Sequence, residues 1–223
     1  MSLILNIDTS TELAFVCLSR HGELIDTTFS VQQKEHAVFL HSAIQEIFSK
    51  NQIAINQIDG IAVTEGPGSY TGLRVGMSTA KGLCYALRKP LITLSSLVVI
   101  ANACKQIAED VNAFYCPMID ARRMEVFTAI YNFELEEILQ PKPVILDEDT
   151  FVETLLQKTI YFAGNGAKKF FSITEAEKAI LMDVNPKNLA TSMCHLSYKL
   201  LLANSFGDLV LSNPVYLKEY NAS

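Results

Sequence analysis

The chain has 223 residues, of which 49% are hydrophobic and 19% charged, and its formal net charge is −6. This composition is typical of a globular protein and excludes a largely disordered one, because the chain has enough apolar side chains for a core. The longest apolar runs are far shorter than the roughly 18 residues that cross a bilayer, so we expect no membrane anchor. The negative charge argues against a protein that binds nucleic acid without a partner, since such binding depends on clustered lysine and arginine.

The first residues and the cysteines indicate the cellular compartment in which the protein is expected. The first eight residues lack the basic start of a secretory signal, and their apolar stretch stops at Asp8. The five cysteines are an odd number without a Cys-x-x-Cys spacing, which favours buried, reduced thiols. We therefore expect a cytoplasmic protein.

The first half of the chain predicts three strands, a helix, a fourth strand and a second helix. Apolar and alternating patterns predict strands at residues 3–8, 14–19, 23–30 and 58–64. Residues 35–50 carry apolar side chains at helical spacing, which predicts an amphipathic helix. A glycine-rich loop follows the fourth strand and opens the second long helix.

The second half repeats this order of elements. Strands are predicted at residues 115–120, 126–131, 140–146 and 160–163, with helices at 147–158 and 189–203 and a glycine turn at 164–166. Both first strands end in Ile-Asp, at Asp8 and Asp120. The pattern suggests a duplicated α/β unit, although such coarse patterns also recur by chance. A polar stretch near residue 105 predicts two subdomains, residues 1–105 and 106–223.

The glycine-rich loop favours an anion site by its position between a strand and a helix. It is not a Walker A loop, because no Gly-Lys-Ser/Thr follows it. It is also a poor dinucleotide fingerprint, since Gly66, Gly68 and Gly72 are spaced one residue too long and no acidic residue follows before Glu109. A tight turn without a ligand explains the glycines equally well.

The helix after the loop carries Gly72, Gly76 and Ala80 on one face. Glycine inside a helix costs about 1 kcal/mol relative to alanine, so this face is expected to pack closely on another backbone. The neighbour is either the chain's own sheet or a helix of another subunit.

Asp8 and Asp120 are the main candidates for chemistry. Facing each other, two such carboxylates would suit a phosphotransferase that uses a divalent cation, while the simpler interpretation is that each caps a turn. His36 and His41 are five residues apart, which does not place them on one helix face for a shared metal. No catalytic residue and no metal site is predicted.

Several of these stretches together resemble the TsaB (YeaZ) family, a bacterial subunit of the machinery that makes threonylcarbamoyladenosine in tRNA. They are residues 7–10, 65–76, 80–83, 119–123, 125–127 and 214–217. The stretch 65–76 is highly specific, and Met124 departs from the family, which usually has glycine there.

The resemblance implies a duplicated actin/Hsp70/sugar-kinase (ASKHA, ribonuclease H-like) α/β fold with two similar subdomains. It also implies kinship with the TsaD (Gcp) subunit, which binds its catalytic metal through two histidines. The corresponding positions here are about Ser96 and Ile100, and neither side chain can replace an imidazole.

The resemblance further implies a non-catalytic scaffold that binds TsaD, with the ATPase subunit TsaE joining the pair. Alone the chain would form a homodimer, and it would meet tRNA only through the complex. The family's interface lies on its first two helices, which implies partner contacts at Leu40, Ile44, Gly72, Leu73, Gly76, Met77 and Ala80.

No cofactor is required in this interpretation, although weak ATP or ADP binding is a hypothesis. A vestigial nucleotide site would use Asp8, Thr9, Ser10, Gly66, Gly68, Ser69 and Asp120. The alternatives are an ATP-dependent phosphotransferase of the same fold and a metallopeptidase, a label historically attached to this superfamily.

Overall fold

The computed structural model describes residues 2–31 and 36–218. Two five-stranded sheets are present, each built from the same order of elements. In the first half these are β1 (Leu3–Asp8), β2 (Ala14–Arg20), β3 (Glu23–Ser30), α1 (His36–Lys50), β4 (Gly60–Gly66), α2 (Tyr70–Leu87), β5 (Leu91–Ser95) and α3 (Ser96–Ala108). In the second half they are β6 (Phe114–Asp120), β7 (Glu125–Tyr131), β8 (Glu137–Ile145), α4 (Val152–Gln157), β9 (Ile160–Ala163), α5 (Ala167–Phe171), β10 (Ala179–Leu181) and α6 (Pro186–Leu202).

The two sheets have the same topology. The strand order is β3-β2-β1-β4-β5 in the first sheet and β8-β7-β6-β9-β10 in the second. In each, an antiparallel meander of three strands joins two parallel strands. The predicted duplication is therefore confirmed. The predicted start of α1 at residue 35 lies outside the described residues.

The structure divides the chain at other residues than the predicted ones. Among the described residues, one compact unit contains residues 2–31 and 36–96 with Pro186–Val215, and the other contains Leu97–Asn185 with residues 216–218. The carboxy-terminal helix α6 packs on the first sheet, where Ser197 Oγ donates to Asn6 Oδ1 at 2.6 Å. The predicted boundary placed α6 in the second subdomain because it lies late in the chain. In the structure, α6 belongs to the first unit.

Each unit has its own core. In the first, α1 and α2 pack on β1, β2 and β4 through aliphatic side chains such as Leu5, Ile7, Leu40 and Ile47. In the second, four phenylalanine rings cluster with centroids 4.7–6.0 Å apart: Phe151, Phe162, Phe170 and Phe171. Aromatic packing of this kind adds specific geometry to the area buried.

All five cysteines are buried and free, as the sequence predicts. Burial raises the pKa of Cys84, Cys104 and Cys116 to about 12, because a thiolate would lose its hydration there. Within residues 2–31 and 36–218, no helix has the length and apolar character needed to cross a bilayer.

Candidate functional site

The glycine loop joins β4 to α2 and is held by hydrogen bonds within the chain. The Ser69 side chain caps α2 by accepting a hydrogen bond from Gly72 N at 3.3 Å. The backbone N–H of Ser69 donates to the carbonyl of Ser10 at 2.7 Å. The loop after β1 is thus tied directly to the start of α2.

Gly68 in the glycine loop and Gly72 and Gly76 in α2 face the loop that follows β1. A Cβ added at Gly68 would lie 2.1 Å from Ser10 O, and one at Gly72 would lie 2.1 Å from Thr9 O. At Gly76 the added Cβ would lie 2.3 Å from Thr9 Oγ1. These contacts are too close for any side chain, so Gly68 and Gly72 make room for the backbone of Ser10 and Thr9, and Gly76 makes room for the Thr9 side chain.

Asp8 is buried beneath this loop. Its Oδ1 accepts hydrogen bonds from Ser10 N and from Thr64 Oγ1, each at 2.8 Å. Burial raises the pKa of the Asp8 carboxyl, and the hydrogen bonds from Ser10 and Thr64 and the nearby His36 oppose that rise. Thr64 was not predicted as a site residue, because a threonine inside a strand gives no sequence signal of its hydrogen bond to Asp8.

The carboxy-terminal segment covers the glycine loop from the other side. The N–H of Val215 donates to Glu65 O at 2.7 Å, and a Cβ at Gly66 would lie 2.5 Å from Val215 O. Gly66 has a φ of +123°, which a side chain would also oppose. Gly66 therefore allows the close approach of the Val215 backbone, 149 positions further along the chain, which no local pattern could reveal.

Asp120 lies in the second unit and has a different environment. Its Oδ1 accepts from Arg122 N at 2.5 Å and from Lys169 Nζ at 2.7 Å, and its N–H donates to Asn165 Oδ1 at 2.9 Å. Unlike Asp8, it is partly exposed and ion-paired. The structure thus brings six of the predicted nucleotide-site residues together in the first unit and places Asp120 in the other.

Two groups of the expected nucleotide site already have partners within the chain. The Ser69 N–H already donates to Ser10 O, and the Asp120 carboxylate already pairs with Lys169.

The seven residues expected at a partner interface are buried in the chain's own first unit, which corrects that expectation. The exposed fraction is 0–7% for Leu40, Ile44, Leu73, Met77 and Ala80, and the structure also buries Gly72 and Gly76. The helical spacing identified one face correctly, but the sheet and the Thr9 loop cover it. A partner of α1 and α2 can reach only the opposite faces of those helices.

Those opposite faces are exposed. On α1 they present Val38, His41, Gln45 and Glu46; on α2 they present Thr71, Arg74, Ser78, Gly82 and Tyr85, which we call the outer face of α2. Tyr85 is 79% exposed. An added Cβ at Gly82 meets no heavy atom within 4 Å, so nothing in the described chain requires a glycine there.

The positions that the family resemblance aligns with metal ligands are not suited to a metal. Ser96 Oγ donates to Pro67 O, and Ile100 is apolar and buried. His36 is buried too, and its Nε2 donates to Thr11 O at 3.0 Å. Among the described residues, no three His, Cys, Asp or Glu side chains lie close enough to share a metal.

Comparison with known proteins agrees with this fold. The family model for TsaD, tRNA N6-adenosine threonylcarbamoyltransferase, matches residues 27–196. The chain is 31% identical over 167 residues to the tRNA threonylcarbamoyladenosine biosynthesis protein TsaB of Bacillus subtilis, covering 73% of this chain and 70% of that protein.

Two solved structures show the fold. YeaZ from Pseudomonas aeruginosa has a TM-score of 0.79 at 24% identity and covers 97% of this chain and 100% of its own. The inorganic polyphosphate/ATP-glucomannokinase of Arthrobacter sp. strain KM has a TM-score of 0.56 at 9% identity, covering 90% and 100%. The fold is therefore the duplicated ASKHA fold that the resemblance implied.

Proposed function

Since the chain belongs to the TsaB (YeaZ) family, we propose that it is a cytoplasmic, non-catalytic subunit of the complex that makes N6-threonylcarbamoyladenosine at position 37 of tRNA. The observation that carries this proposal is the match to the TsaB protein of Bacillus subtilis, whose name assigns it to that biosynthesis. The match covers most of both chains. The specific glycine-loop stretch at residues 65–76 lies within residues 27–196, which the TsaD family model matches.

The non-catalytic role is supported by the residues at the aligned metal positions. The transferase subunit of the family is expected to use two histidines, and this chain has Ser96 and Ile100. Ser96 Oγ is engaged with Pro67 O, and an isoleucine has no lone pair to donate. The chain would then contribute a surface, and a TsaD-type partner would perform the transfer.

We place the partner surface on the outer face of α2 and the exposed face of α1. Gly82 supports this assignment, because an exposed helical glycine costs about 1 kcal/mol relative to alanine and no intrachain contact needs it. A small residue beside the exposed Tyr85 would let a second helix approach closely. The same faces would form a homodimer when the chain is alone and the TsaD pair when it is not, with TsaE joining that pair.

No nucleotide is needed for this role. Two residues of the hypothetical ATP or ADP site already have partners in the chain, since Asp120 is ion-paired with Lys169 and the Ser69 N–H donates to Ser10 O. The phosphotransferase alternative depends on both Asp8 and Asp120 being free to act, and Asp8 Oδ1 is already bound by Ser10 and Thr64.

Reconstitution with single omissions tests the proposal. We expect this chain alone, given tRNA and threonylcarbamoyl adenylate, to form no modified nucleoside, because it lacks the metal-binding residues. Adding it to the TsaD-type subunit and TsaE is expected to start repeated turnover, measured by liquid chromatography and mass spectrometry of digested tRNA. Nucleoside formation by the chain alone, or ATP-dependent phosphorylation of an added acceptor, would contradict the proposal.

A further inference from the structure

A turn late in the chain, residues 208–212, presents two adjacent apolar side chains to solvent. Val210 is 81% exposed and Leu211 is 74% exposed, whereas the neighbouring Leu209 packs against the core of the first unit. The carboxylate of Asp208 accepts hydrogen bonds from Val210 N at 2.7 Å and from Leu211 N at 2.8 Å. Ser212 N donates to Asp208 O at 2.9 Å and closes the turn. The backbone therefore holds both apolar side chains in water, where their hydration is unfavourable.

Lys81 of α2 anchors the 208–212 turn to that helix. Its Nζ donates to Val210 O at 3.2 Å and to Ser212 O at 2.9 Å. Just before the turn, Gly207 N donates to Leu91 O of β5 at 2.9 Å. Because the turn is fixed at both ends, a partner that covers its side chains has little backbone freedom to remove on binding.

The anchor places the 208–212 turn beside the outer face of α2. Lys81 and Tyr85 are four residues apart, so they are neighbours on the helix surface. A cavity of about 590 Å³ joins the end of α2 to the turn, since Tyr85 and Leu209 both line it. The side chains of Val210 and Leu211 are thus continuous with the proposed partner surface.

The exposed faces of α1 and α2 are poor in apolar side chains. Among the described residues, these two helices expose only two large hydrophobic side chains, Val38 at 73% and Tyr85 at 79%. A stable interface buries about 800 Å² of each partner, and its centre is apolar and depleted of charge. Val210 and Leu211 double the number of large apolar side chains available to such a centre.

We propose that Val210 and Leu211 are apolar anchors for the TsaD-type subunit, which covers the 208–212 turn together with the outer face of α2. This inference rests on the proposed function and adds a third element to its partner surface. Apolar anchors held rigidly next to an exposed tyrosine have the composition expected where a few residues supply most of the binding free energy.

Titration calorimetry of the full-length chain with the TsaD-type subunit tests the anchors. V210S/L211S is expected to bind about thirtyfold more weakly, and each single variant about fivefold, because each loses the hydrophobic contribution of one side chain. The apolar variant V210I/L211M should lose less than threefold. V111S/L156S is the matched control, since it removes a valine and a leucine of the second unit that are 63% and 73% exposed, and it should bind as the wild type does. Circular dichroism checks the fold of every variant.

Sedimentation velocity of the chain alone measures association between copies and separates the remaining outcomes. Equal affinity of V210S/L211S and the wild type for the TsaD-type subunit would overturn the inference, and weaker association between copies would then assign the turn to a homodimer. An equal loss of affinity in V111S/L156S would overturn it too, because the effect would not be specific to the turn. A wild-type chain that does not bind the TsaD-type subunit would contradict the proposed function, and the anchors with it.

Discussion

The Gly82→Phe substitution is expected to lower the affinity for the TsaD-type subunit by about a hundredfold or more while the chain still folds. Gly82 lies on the outer face of α2, where an added Cβ meets no atom of the described chain. A phenyl group therefore fits the isolated chain but occupies the space through which a partner helix would approach. Titration calorimetry gives the affinity, and circular dichroism checks the fold.

Thr191→Phe is the matched control for this substitution. Thr191 is an exposed residue of α6, which packs on the first sheet and takes no part in the proposed partner surface. The control variant should bind the partner as the wild type does. Equal binding by Gly82→Phe would show that the partner uses another face of the molecule.

The Gly72→Ala substitution is expected to destabilise the chain by about 2–4 kcal/mol, although alanine is the better helix former. The added methyl carbon would lie 2.1 Å from the carbonyl oxygen of Thr9, which is buried backbone. The loop must move, and with it the Ser10 carbonyl that receives the Ser69 N–H. For a chain of this length such a loss lowers the melting temperature by roughly 5–15 °C.

Gly82→Ala is the control within the same helix. This substitution adds the same methyl group, but at a position where no heavy atom lies within 4 Å of it. We therefore expect it to stabilise the chain by about 0.5–1 kcal/mol. Thermal or urea unfolding of both variants compares the two sites directly. If Gly72→Ala were as stable as Gly82→Ala, the close contact with Thr9 would not be the reason for the glycine.

The sequence predicted the element order well because strand and helix periodicities are local. It recognised the repeat of three strands, helix, strand and helix, since both halves carry the pattern in the same order. It missed β5 and β10, which have only five and three residues. It also could not assign α6, because the hydrogen bond between Ser197 and Asn6 joins residues that are far apart in the chain.

The site shows the same division between local and long-range information. The spacing of Gly72, Gly76 and Ala80 correctly indicated a closely packed face. Which neighbour packs there depends on tertiary structure, and the neighbour is the Thr9 loop rather than a partner. Likewise, the sequence near Asp120 could not predict its ion pair with Lys169, which partly neutralises the carboxylate.

Depletion of this protein in its host tests the central claim most directly. The amount of threonylcarbamoyladenosine in total tRNA is measured by liquid chromatography and mass spectrometry, before depletion, after it, and after re-expression of the wild-type chain. A role in the transfer complex predicts that the nucleoside is lost and that re-expression restores it. An unchanged amount in cells shown to lack the protein would contradict the account.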